Sequence, residues 1–170
     1  MEDAKRQAAG INAGAAWYRP DQCIAFISGI DRKQKMNEKK LSPSMDAWMK
    51  EAKSHESADK IGMYLTHNGI VRKSAKAKVR FGEENTKDVV GMLFSYDEEK
   101  VQAAIGETYE LEGIYYVKAW LNEGMLTVGD DIMYVLIGGD IRPHVVDALQ
   151  FLVGKLKNEC VEEKEIYEAD

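Results

Sequence analysis

Cysteine is scarce. Cys23 and Cys160 are the two in 170 residues, and neither falls in a CxxC or Cys/His ligand spacing, which argues against a disulfide framework or a zinc site and suits a reducing compartment. Long apolar runs are missing from the N-terminal region as well. Its longest, residues 23–27, is far shorter than a membrane span or a signal-peptide core, and Glu2 and Asp3 precede it. The expected location is therefore the cytoplasm. An excess of positive charge is lacking too: 23 Lys and Arg stand against 29 Asp and Glu, for a net charge of -6. General binding to nucleic acid or to an anionic membrane needs the opposite field, so neither partner is expected, and any anionic ligand must meet a local basic patch. No Rossmann or P-loop glycine pattern and no internal repeat occurs. His67 and His144 have no carboxylate or histidine at metal spacing and read as surface or capping residues, so no metal is expected.

With 45% apolar residues, a chain of this length can bury a core unaided, and one domain plus a tail is expected. Residues 1–43 carry no sustained periodicity and read as a poorly ordered extension; residues 44–170 form the domain. Met36 and Met45 each precede a candidate domain start, so the natural polypeptide could begin at either, and the extension could be a gene-model artefact. Ser44 is a helix N-cap with Asp46 in the first turn. From Ile61 the pattern turns to period two, broken at the turn-prone His67-Asn68-Gly69 and resuming at Ile70-Val71. Val89–Tyr96 is a second strand, and Asp97 caps a helix running to about Glu110 and ended by Gly113. Ile114–Leu121 and residues 131–137 are two further strands that pair through a loop. Asp140 then caps a helix with Pro143 in its first turn and Val145, Leu149, Leu152 and Leu156 on its apolar stripe. Val161–Tyr167, strongly charged, is an edge strand. Strands interleaved with helices predict an α+β fold, helices packed on a mixed or antiparallel sheet.

Chemistry concentrates late in the chain. Arg142 opens the last helix, Gln150-Phe151 lies within it, Leu156-Lys157 closes it, and Lys164 follows seven positions later. Upstream stands Gly69-Ile70-Val71-Arg72, then the strand at 90–96 with its helix, then Gly129-Asp130-Asp131. Two lysines seven apart across a helix end are often plain solvated charges, and spacing alone leaves that reading open. The order and spacing of all these elements together, across residues 61–167, resemble the large-subunit family of molybdopterin synthase. The chain departs from the family in having Ile141 where a histidine usually precedes the arginine, and in lacking a Pro and an aromatic residue between the two lysines.

The resemblance implies an α/β-hammerhead-like domain, dimeric, that captures a small ubiquitin-like subunit ending in a Gly-Gly thiocarboxylate. Sulfur would pass twice to cyclic pyranopterin monophosphate, with no cofactor of the protein's own. It implies Lys157 and Lys164 as catalytic residues, Lys157 guiding the thiocarboxylate and able to contact its carbonyl carbon, and Arg72 and Arg142 as substrate-binding residues. Both reactants are anions, so clustered cations must offset the protein's net charge at the site. On a strand, Glu163 and Glu165 would face away from Lys164 while Glu162 shares its face, which suits Lys164 as a cation or general acid. The acid-free run Arg72-Lys73, Lys76, Lys78 and Arg80 is either a solvated loop or a flap that attracts phosphate, with Arg72 its principal residue. Cys160 as a sulfur carrier is disfavoured, since Glu159 beside it opposes a thiolate. Tyr115, Tyr116 and Trp120 read as core and interface. A relative that binds the partner or a pterin without catalysis, and an unrelated α+β domain, are the alternatives.

Overall fold

The computed structural model describes residues 39–169; most of the expected extension, residues 1–38, lies outside the described residues. The described part of that segment is tied down. Lys40 N donates to Asn122 Oδ1 at 2.8 Å, Ser42 Oγ to Asp131 Oδ2 at 2.5 Å, and Lys39 pairs with Asp130 at 2.9 Å.

Six strands and four α-helices follow: α1 (Met45–Lys53), β1 (Met63–Ile70), α2 (Lys76–Phe81), β2 (Val89–Tyr96), α3 (Glu98–Tyr109), β3 (Ile114–Leu121), β4 (Gly124–Thr127), β5 (Asp131–Gly139), α4 (Arg142–Lys155) and β6 (Val161–Tyr167). Short helical turns occupy Ala58–Lys60 and Leu156–Cys160. The α+β class and the antiparallel pairing are as expected, with the strands divided between two three-stranded sheets, ordered β1-β5-β3 and β4-β2-β6.

The reason for two sheets lies in β4. Four residues are too few to show an alternating pattern, yet Leu126 is fully buried and β4 pairs with β2, not with its chain neighbours. The chain thus leaves the first sheet after β3, adds an edge to the second, and returns as β5. The predicted pairing of β3 with β5 holds, with Val117 opposite Ile137 and Ala119 opposite Val135.

Strand β5 is buried on both sides, which explains its nearly continuous apolar run. Met133, Val135 and Ile137 belong to the main core, with Val145, Ala148 and Leu152 of α4 and Val101 and Ala104 of α3. Leu136 belongs instead to a second cluster with Trp48 and Ala52 of α1 and Tyr116 of β3. Lys118 of β3 clamps α1 by an ion pair to Glu51 at 2.6 Å. Tyr116 is therefore core, in line with its sequence context.

Two local readings are corrected. His67-Asn68-Gly69 is no turn: β1 runs through it, with His67 opposite Val135, Asn68 opposite Tyr134 and Gly69 opposite Met133, and the irregularity comes only between Gly69 and Ile70. Tertiary pairing with a central strand outweighs the triplet's turn propensity. Asp140 is not the cap of α4. Ile141 occupies that position without a side-chain hydrogen bond, while the Asp140 carboxylate accepts from Ile141 N at 2.6 Å and lies 2.8 Å from His144 Nδ1. That carboxylate also covers Gly113, which holds φ at +75° and has no side chain to obstruct it.

Asp97 caps α3 as expected, its carboxylate accepting from Glu99 N at 3.1 Å and Lys100 N at 3.2 Å. Asp97→Ala should cost about 1 kcal/mol of unfolding free energy in urea titration, the usual worth of such a cap. No change would mean the core alone fixes the helix start.

Candidate functional site

The end of α4 does not stop cleanly. Hydrogen bonding widens to a π-type turn over Leu156–Cys160, anchored by buried Leu156 and Cys160, and Lys157 sits in this turn. Such turns are uncommon and recur at functional sites because they re-aim a side chain. Here the turn directs Lys157 to a cavity of about 80 Å³ walled by Arg72, Lys76 and Arg80 from the β1–α2 region and by Glu163 and Glu165 from β6, with Met92 and Ile132 at its apolar side.

Lys157 and Arg80 also line a second, larger groove of about 410 Å³, formed with His67 of β1, with Leu149, Gln150, Val153 and Gly154 along α4, and with Asn158 of the π-type turn. A basic junction thus joins a small polar cavity to a longer, more apolar groove. The cations are partly engaged. Arg72 Nε donates to Ser74 O at 2.9 Å, Lys157 Nζ lies 3.5 Å from Glu163 Oε1, and Lys76 Nζ lies 3.9 Å from Glu163 Oε2. Glu165 accepts from Lys76 N with both oxygens at 3.0 Å.

Of the expected site residues, the structure brings Arg72 and Lys157 together. It does not bring Lys164 with them. Alternation along β6 leaves Lys164 exposed and turns Glu163 and Glu165 inward; Lys164 lines a neighbouring cleft with Phe81 and Tyr167, and the two clefts share Lys76, Glu163 and Glu165. The expected facing of Lys164 relative to these glutamates is right, but the cavity lies on the glutamates' side. Arg142 stands at the opposite end of α4, about 20 Å away at 1.5 Å per residue, and is exposed.

Lys76, Arg80, Glu163, Glu165 and His67 complete the site, and none of them was among the expected catalytic or substrate-binding residues. The acid-free basic run contained the first two, whose i,i+4 spacing puts them on one face of α2. His67 shares a strand face with Met63 and Leu65, a signal hidden by the turn reading.

His67 is half-buried, not a surface histidine, and its Nε2 is buried with no hydrogen-bond partner. Burial first, and then the positive charge of Lys157, hold its pKa below the usual histidine value. The unfolded chain therefore takes up a proton that the folded one resists. His67 contributes stability fully present above the unfolded pKa of about 6.5 and lost as pH falls below it. Thermal midpoints measured at pH 7.5 and 5.5 should fall less for His67→Phe than for the wild type; an equal fall would show that His67 takes up its proton as readily in the folded protein as in the unfolded chain.

Cys160 is 4% exposed, and burial, reinforced by the Glu159 charge, pushes its thiol up. It is core, not a sulfur carrier. Among the described residues no group of three His, Cys, Asp or Glu side chains is placed to hold a metal ion, and no helix is long and apolar enough to cross a membrane.

Comparison with known proteins places this geometry. The family model described as MoaE protein matches residues 37–159, which includes Arg72, Arg142 and Lys157 and stops short of Lys164. No curated protein sequence matches the chain. Several solved structures share its fold. Molybdopterin synthase from Staphylococcus aureus is 16% identical, with 76% of this chain and 90% of that one covered and a TM-score of 0.59. Molybdopterin cofactor biosynthesis protein E from Burkholderia multivorans is 18% identical, with 78% and 84% covered and a TM-score of 0.57. A protein–protein complex of subunits 1 and 2 of molybdopterin-converting factor from Helicobacter pylori is 18% identical, with 74% and 82% covered and a TM-score of 0.51. With the family match spanning most of the chain and the α+β architecture shared, the protein belongs to the MoaE family, the large-subunit family of molybdopterin synthase in molybdenum cofactor biosynthesis.

Proposed function

We propose that the protein is the sulfur-transferring subunit, receiving the C-terminal thiocarboxylate of a small ubiquitin-like partner in the 410 Å³ groove and the phosphate-bearing pterin precursor at the 80 Å³ cavity. The observation that carries this reading is the junction itself: Arg80 and Lys157 line both spaces, and Arg72 and Lys76 add positive charge in a chain of net charge -6. Two anions repel each other by about 1 kcal/mol at 4 Å in water and more in a drier site, so a shared cationic wall is what lets them meet. The groove suits a Gly-Gly tail because its apolar floor makes few demands on side chains. In each transfer the thiocarboxylate sulfur bonds to a pterin side-chain carbon as that carbon's bond to oxygen breaks, the oxygen leaving as water or phosphate; water then cleaves the acyl–sulfur bond, leaving a thiolate on the pterin and a carboxylate on the partner. Lys157 holds the sulfur's negative charge and the neighbouring carbonyl during both steps. Lys164, in the adjoining cleft, serves as a second cation at the rim.

The Helicobacter pylori complex of two subunits supports a small-subunit partner. Dimerisation rests on the family; Arg142, at the far end of α4, could join this cavity only from a second copy of the chain. No cofactor or metal enters the scheme, and the work is placed in the cytoplasm.

A second reading, a relative that binds the partner or a pterin without transferring sulfur, is favoured by the Glu163 carboxylate beside Lys157. One experiment separates the two. The purified protein is mixed with a thiocarboxylated small subunit and the pterin precursor, and molybdopterin is assayed. Product supports the synthase reading; binding without product supports the second.

A further inference from the structure

The two carboxylates in the cavity are not equivalent. Glu165 is spent: both its oxygens accept from Lys76 N, and Oε2 also accepts from Tyr167 Oη at 2.9 Å. Glu163 has its oxygens 3.5 Å from Lys157 Nζ and 3.9 Å from Lys76 Nζ, beyond the usual hydrogen-bond range, and its buried Oε1 has no hydrogen-bond partner. A buried carboxylate oxygen left without a donor is costly unless something else uses it. Its cover is movable. Lys157 is 39% exposed, against 16% for Glu163, so an anionic group on a ligand can draw Lys157 away and open the carboxylate behind it.

We propose that Glu163 is a specificity-determining residue whose freed carboxylate accepts two parallel N–H bonds from a planar 2-amino-4-oxopyrimidine edge. The inference rests on the proposed pterin reading and deepens it. Two coplanar acceptor oxygens match two coplanar donors, as in arginine–carboxylate pairs. Here the ring's 2-amino group and adjacent N3–H supply the donors, and the cations of Arg72, Lys76 and Arg80 are left for the ligand's anionic end. The cavity of about 80 Å³ meets the adjoining groove at Arg80 and Lys157, so one edge of a bicyclic ring can enter it from that junction. A ring whose amino group is replaced by a carbonyl presents an acceptor to the carboxylate and is repelled.

Pterin and lumazine, each used as its 6-carboxylate to supply the anionic group, differ at that position, and both can be titrated by their own fluorescence. The wild-type protein is expected to bind pterin at least about ten-fold more tightly than lumazine, in keeping with hydrogen bonds to a charged group. Glu163→Gln, of the same shape, should bring the two affinities within about three-fold, mainly by weakening pterin, with the thermal midpoint little changed. A wild type that binds the two equally or binds neither, or a Glu163→Gln protein that keeps the wild-type ratio, overturns the assignment. Molybdopterin formation without this discrimination would overturn the role of Glu163 alone, whereas discrimination without product would overturn the sulfur-transfer reading alone.

Discussion

Lys157→Ala is expected to lower molybdopterin formation at least about 100-fold in a single-turnover assay with thiocarboxylated small subunit, while the folded protein persists. A positioned acid, base or charge acting in the transition state is commonly worth about 10² to 10⁴ in rate, and Lys157 lines both spaces into which the reactants are placed. Little stability should go with it. The side chain is 39% exposed, and Lys76 stays beside the orphaned Glu163 carboxylate. Lys164→Ala provides the contrast. Its side chain is exposed on the other face of β6 and lines a cleft that Lys157 does not, so the loss should stay under about ten-fold. A Lys157→Ala protein within ten-fold of wild type would end the proposed mechanism, and a Lys164→Ala protein as inactive as Lys157→Ala would show that the two lysines meet when the partner is bound.

This asymmetry marks the limit of what the sequence could disclose. The limits of β2, β3 and β6 and the cap of α3 follow from local pattern, because their alternation or capping signals agree with their tertiary surroundings. Where local preference and tertiary pairing conflict, as at His67-Asn68-Gly69, pairing with β5 decides. Two elements were too short to announce themselves: α2, whose capping residue Ala75 makes no side-chain bond, and β4, which exists only because β2 offers an edge. The site divides in the same way. Arg72 and Lys157 could be named through the family resemblance, but that Glu163 and Glu165, rather than Lys164, face them depends on which side of β6 the chain presents after the π-type turn. One residue more or less in that turn reverses every side chain of the strand. His67 reaches the site from β1, Lys76 and Arg80 from α2, and Lys157 with the two glutamates from the far end of the chain, so no short sequence window contains them together.

Gly154→Leu should separate binding from stability, raising one and removing the other. Gly154 is a helical residue on the wall of the groove, and a Cβ built there meets nothing within 4 Å. Glycine inside a helix costs about 0.8–1.0 kcal/mol relative to alanine, and leucine is nearly as good a helix former as alanine. The variant should therefore unfold at higher urea, gaining about 0.5–1 kcal/mol. The same leucine projects into the space between His67, Val153 and Asn158 that the partner's tail is proposed to occupy, and an extended tail, at about 3.3–3.6 Å per residue, cannot bend around it without losing contact with Lys157. Affinity for the small subunit should drop at least ten-fold, measured by calorimetry. Pterin binding should stay near wild type, since Arg72, Lys76, Arg80 and Glu163 are untouched. Gly154→Ala, with only a methyl group, should keep most of the stability gain and most of the affinity. If the leucine protein bound the partner as well as wild type, the tail would have to reach Lys157 by another path, and the neighbouring cleft lined by Phe81, Lys164 and Tyr167 would become the route to test.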